Sequence, residues 1–237
     1  MNARTEESLV QAALGRRFYF IMAFLTAMVV AYGFSRTVNE GLIHPPYPLP
    51  AILYAHVVIF VGWIVLLLVQ TGLVQSRQLR LHRRIGMSSF GLAAALVIVG
   101  TWVSLAMARL ELQHGETRAG NFLLVPFYDM LAFAVLFGLG AWKRRTPEIH
   151  RRLMLMAAVS LTAAAFGRFP HFLIPRGWFY AGVDAMILLG VMRDLLVQGT
   201  VHKVYRLALP ALVAGQVIVY LVRHTDWWTE FSNSLIS

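Results

Sequence analysis

The chain has 237 residues, 58% of them hydrophobic and only 14% charged, with a formal charge of +10 and no cysteine. A water-soluble fold of this composition would leave too much apolar surface uncovered, because soluble domains carry roughly one-quarter charged residues. Without cysteine there are no disulfides, thiol nucleophiles, iron–sulfur clusters or covalently attached c-type haem, and no basic arm with interleaved aromatics stands free of the apolar segments to serve nucleic acid.

Apolar stretches fall at 18–35, 50–74, 85–108, 121–142, 152–173, 178–197 and 207–223, each bounded by charges, prolines or glycines. About 20 apolar residues cross hydrocarbon as a helix, so the sequence predicts an all-α integral membrane bundle of about seven transmembrane helices, with 1–237 forming one transmembrane domain. The first stretch follows Arg16 and Arg17 as a signal peptide would, yet it is long and lacks a small-residue cleavage site. It is therefore expected to be retained as a helix.

Between the first and second stretches, His44-Pro45-Pro46-Tyr47-Pro48-Leu49-Pro50 reads as a stiff lid. The second stretch carries His56, Phe60, Trp63, Leu67 and Gln70 on one helical face and ends before Leu81-His82-Arg83-Arg84-Ile85. A similar turn, Ile149-His150-Arg151-Arg152-Leu153, precedes the fifth stretch, which suggests two repeated helical hairpins forming a four-helix core.

Alternate turns and the amino terminus hold Arg4, Arg16, Arg17, Arg77, Arg80, Arg83, Arg84, Lys143, Arg144, Arg145, Arg151, Arg152, Arg193, Lys203 and Arg206. The other side holds only Arg36, Arg109, Arg118, Arg168, Arg176 and Arg223. The positive-inside bias places the first side in the cytoplasm. The expected setting is a bacterial inner membrane, amino terminus cytoplasmic and carboxyl terminus outside, with Trp227 and Trp228 at the lipid interface.

Ionisable groups inside a bilayer cost roughly 2.5–3.5 kcal/mol each on insertion scales, so those that persist need a partner, a cavity or a function. His56, Asp129 and Asp184 lie inside the second, fourth and sixth stretches, and Arg168 and His171 end the fifth. On the assigned topology all five share one layer near the outer surface, together with Tyr54, Tyr128 and Tyr180. One reading is an outward-facing polar site; the other is a structural pairing of Arg168 with Asp129 or Asp184.

Facing imidazoles are the usual axial ligands of haem b, which needs no cysteine. His56 and His171 would form an outer pair with Arg168 on a propionate, and alanines at 157 and 164 would leave room for the macrocycle. His82 and His150 would form an inner pair; His150 and His171 are 21 residues apart, about 31 Å along a helix, so two haems would make a transmembrane electron wire. The same His56, His171, Asp129 and Asp184 could instead hold zinc, iron or manganese and activate water against a lipid-like substrate. A third reading is a carrier, or an accessory subunit beside a membrane redox partner or larger membrane complex.

The Leu81-His82-Arg83-Arg84-Ile85-Gly86 run, with a histidine early in the preceding helix, resembles uncharacterised bacterial multi-pass inner-membrane proteins and, more distantly, membrane b-type cytochromes. Pro147-Glu148-Ile149-His150-Arg151-Arg152-Leu153-Met154 adds to the first likeness, which covers about half the chain. Haem binding is what the more distant likeness implies.

Overall fold

The computed structural model describes residues 3–116 and 119–237, with the side chains of 3–14 and 16 left out. Arg4, Arg16 and Arg118, part of the charge count above, therefore lie outside the described side chains. Ten α-helices follow in chain order: α1 (Ala3–Ser35), α2 (Ala51–Gln75), α3 (Leu79–Gly86), α4 (Ser88–Gln113), α5 (Leu124–Trp142), α6 (Pro147–Ser160), α7 (Ala163–Phe166), α8 (Phe179–Gln198), α9 (Lys203–Val222) and α10 (Asp226–Ile236). Short π- and 3-10-helical turns, Asn39–Ile43 and Ala119–Leu123, complete the order, and the described residues contain no strand. Hydrocarbon supplies no water for backbone groups, so long apolar runs must close their hydrogen bonds within a helix.

Among the described residues, six segments are long and apolar enough to cross a bilayer: Arg17–Ser35, Ala51–Gln75, Ser88–Gln113, Ala119–Trp142, Pro147–Phe166 and Lys203–Val222. Helix α8 is also 20 residues long, but it carries Asp184, Arg193 and Asp194. Local chemistry sets the boundaries. Pro50 holds extended backbone before α2, and Pro147 opens α6 at a position where a helix lacks a donor partner anyway. Gly199, at φ 69°, closes α8 with the left-handed turn that glycine adopts without penalty. His202 and Thr225 cap α9 and α10 by accepting the amides of Val204 and Trp228.

The core centres on α6, which packs against α1, α5, α8 and α9, while α2 and α4 form a peripheral pair against α1 and α5. A core made only of two hairpins is thus replaced by one that draws in α1 and α8. The α6 residues Met156, Ala157, Ala158 and Val159 are completely buried. Its alanines are consumed in helix–helix contact, so Ala157 leaves no slot for a macrocycle. The fifth predicted helix is also not continuous. The Ser160 and Thr162 hydroxyls donate to the Ala157 and Val159 carbonyls, competition that favours interruption, and after α7 the chain leaves helix at Gly167.

Close approach fixes α1 on α7. A methyl group built on Gly33 would lie 2.4 Å from the Ala165 carbonyl oxygen, whereas one on Gly138 of α5 meets nothing within 4 Å. Gly33→Ala should therefore lower stability by about 1–3 kcal/mol through overpacking, while Gly138→Ala should be neutral or slightly stabilising through helix propensity. Thermal unfolding of the purified variants in detergent checks both.

Candidate functional site

Two sets of polar side chains occupy the end of the bundle where α6 begins. Arg152, one turn into the central helix, has no exposed surface. Its Nε and Nη2 donate to Asp194 Oδ2 and Oδ1 at 2.8 and 2.6 Å. Its Nη1 donates to the Glu148 carboxylate and carbonyl at 2.8 and 2.7 Å. Arg193, also buried, donates to Asp194 at 3.0 Å, and Gln198 accepts from Arg152 at 3.3 Å. Arg151 pairs with Glu148 and lies over the Tyr19 ring.

In sequence Arg152 and Arg193 belong to the basic residues that set topology; the signal for their buried role is Asp194, a carboxylate beside Arg193 inside an apolar stretch, which requires a cation from a neighbouring helix.

Beside this network, on the opposite flank of α6, the His82 and His150 rings approach to 6.4 Å between centres at 78°. His150 Nδ1 lies 2.8 Å from the Gly140 carbonyl. A carbonyl only accepts, so neutral His150 carries its proton on Nδ1 and leaves a lone pair on Nε2. The Gln70 amide of α2 engages His82: in its best-satisfied orientation it donates to Nδ1 at 2.5 Å and to the His82 carbonyl at 3.1 Å, and accepts from the Gly86 amide at 3.0 Å. The lone pair of neutral His150 is therefore on Nε2, whereas His82, accepting at Nδ1, carries its proton on Nε2 when neutral. Burial holds His82 below the ordinary imidazole range, against the Gln70 hydrogen bond and with smaller help from His150 and Arg83, and favours its neutral form.

A metal–imidazole bond is about 2 Å and the ring centre lies about 1 Å beyond the nitrogen, so axial imidazoles on one metal have centres about 6 Å apart. Toward the membrane interior, Trp63, Phe133 and Phe137 pack edge-to-face and stacked, with Phe90 against Phe137. Trp63 is buried and its Nε1–H has no partner. Arg80, Arg83 and Arg84 of α3 and Arg144 and Arg145 in the turn before α6 are exposed.

The opposite end holds the other candidates, in separate groups. Asp129 accepts from the Tyr180 hydroxyl at 2.9 Å, Asp184 from the Gln216 amide at 3.0 Å, and Tyr128 donates to the Leu212 carbonyl at 2.7 Å. Arg168 pairs with neither carboxylate; it donates to Thr37 Oγ1 and the Ala164 carbonyl and lies over Phe34.

His56 stacks near Phe60 at 4.0 Å, its Nδ1 buried without a partner, while exposed His171 accepts from Arg176 Nε at 3.1 Å. Among the described residues the His56 and His171 rings make no contact with each other. No group of three or more His, Asp or Glu side chains able to hold a metal occurs among them either. The segment Pro48–Pro50 lies along α4, where Trp102, Leu105, Arg109 and Gln113 help line a groove of about 450 Å³.

No family model, no curated protein and no solved structure matches the chain. Six helices among the described residues that are long and apolar enough to cross a membrane, with internally paired polar groups, give the class: a multi-pass helical membrane protein.

Removing one partner of a buried ion pair strands the other. Arg152→Ala should cost about 3–5 kcal/mol, and the triple change Arg152→Met, Arg193→Leu and Asp194→Leu should recover most of that loss, because it removes both buried guanidiniums together with their shared carboxylate. Chemical unfolding of the three proteins in one detergent reads the difference.

Proposed function

We propose that the protein is a bacterial inner-membrane electron-transfer protein that holds one haem b between His82 and His150. The observation that carries this reading is the 6.4 Å, near-perpendicular approach of the two rings, each with Nδ1 engaged. When bound, the haem supplies a one-electron couple. The chain's own residues do the rest. The Gly140 carbonyl fixes the His150 tautomer, Gln70 orients His82, the aromatic layer keeps the inner side dry, and the exposed arginines compensate negative charge. A redox partner would exchange electrons at this end.

In the same reading α8 is a further pass, making seven with the six apolar spans. Its polar groups are matched within the protein: Asp184 by Gln216, and Arg193 and Asp194 by each other and Arg152. Such internal pairing is what lets a charged helix cross hydrocarbon. The arginine-rich His82 end is cytoplasmic, with the amino terminus on that side and the carboxyl terminus outside.

An absorbance spectrum of the purified protein tests the haem. A Soret band that shifts on dithionite reduction is expected, lost in His82→Ala and in His150→Ala but kept in His56→Ala and His171→Ala. A colourless protein from haem-supplemented cells would sink the proposal. Topology is checked separately on this cysteine-free chain: a membrane-impermeant thiol reagent added from the periplasm should label a cysteine at Glu116 and not one at Thr146.

A further inference from the structure

Among the described residues, buried polar atoms without a hydrogen-bond partner include four that meet around the Arg152 network: the Tyr19 and Tyr205 hydroxyls and the Nε–H groups of Arg151 and Arg193. All four can donate. They come from four different helices, α1, α9, α6 and α8. Tyr205 is 2% exposed and Arg193 4% exposed, so water at the protein surface does not satisfy them. Leaving a buried donor unmade costs about 1–3 kcal/mol, and four in one place call for an acceptor with several lone pairs.

The charges point the same way. Arg151, Arg152 and Arg193 face only Asp194 and Glu148, a surplus of one positive charge among the described residues. The Arg151 and Arg193 guanidiniums lie over the Tyr19 ring at 5.0 and 5.8 Å. Gly190 admits the Tyr205 hydroxyl: a methyl group there would sit 2.2 Å from it. The cluster reaches the surface through Glu148, half-exposed, and exposed Gln198, beside the turn carrying His202 and Lys203. Desolvation by burial, with Arg152 nearby, holds the His202 ring below its ordinary range.

We propose that Tyr19, Arg151, Arg193 and Tyr205 together bind one phosphate group, carried by an anionic phospholipid headgroup or as free phosphate. A tetrahedral oxyanion accepts several charge-assisted hydrogen bonds at once, and anionic lipids are concentrated where basic residues gather at a cytoplasmic surface. The site is separate from the histidine pair, and its occupation does not require haem.

The test measures thermal unfolding of the full-length protein in detergent against increasing inorganic phosphate, phosphatidylglycerol, diacylglycerol as a phosphate-free lipid, and sodium chloride of matched ionic strength. The variants are Tyr19→Phe, Tyr205→Phe and the double change, which remove only hydroxyls that make no bond and so should fold. Phosphate, phosphatidylglycerol or both should raise the wild-type melting temperature. The half-saturating concentration should be about tenfold or more higher in the double variant, the effect of losing hydrogen bonds to a charged group.

A response to phosphatidylglycerol alone identifies the lipid, and a response to phosphate alone the free ion. Equal shifts with diacylglycerol or chloride, or equal shifts in wild type and double variant, overturn the proposal. Native mass spectrometry of the wild-type protein gives an independent reading: loss of every phosphate-bearing adduct at the mildest release energy also overturns it.

Discussion

Arg152 and Asp194 are both withdrawn completely from solvent, and their two-point contact at 2.8 and 2.6 Å is the interaction around which the bundle is arranged. An isolated guanidinium or carboxylate cannot remain ionised in a medium so poor in dielectric response. Each is tolerable only because the other is there, in a geometry that uses two hydrogen bonds at once. The pair fixes α6 to α8. Tyr19 of α1 and Tyr205 of α9 then close over it, so four helices share one electrostatic centre.

The far end solves the same problem without a cation. Asp129 and Asp184 each receive one side-chain donor, Tyr180 and Gln216, on α8 and α9. Arg168, the guanidinium expected to pair with one of them, turns instead to a hydroxyl, a carbonyl and an aromatic face. The two ends are therefore chemically unlike. One concentrates positive charge around an anion-rich contact, and the other spreads two carboxylates among neutral partners.

Apolar length was enough to read most of the architecture. The stretch predicted at 50–74 is Ala51–Gln75, and that at 207–223 is Lys203–Val222, since hydrocarbon thickness dictates helix length. The interruption at Leu161 and Thr162 was not legible, because hydroxyl competition with the backbone depends on rotamers that composition does not reveal. That break moved His171. Its place beside Arg168 presumed an unbroken helix to residue 173, whereas the chain leaves helix at Gly167, so the 100° step no longer applies. Arg152 was hidden for a different reason. An arginine at a helix start looks the same in sequence whether it faces water or the protein; only the position of α6 at the centre decides.

The repeated His-Arg-Arg turns show how one motif is used in two ways. Both histidines face each other across the gap between α3 and α6. The second arginines diverge: Arg84 is exposed on a peripheral helix, while Arg152 is buried on the central one. Along α6, positions 150 and 152 are separated by about 200° of rotation, so they project to opposite flanks. One flank meets α5 and α3 with an imidazole, and the other meets α8 with a guanidinium. The first turn of α6 thus divides this end of the bundle into an imidazole compartment and a guanidinium compartment. Because both hang from the same turn, any movement of α6 that opens one alters the packing of the other.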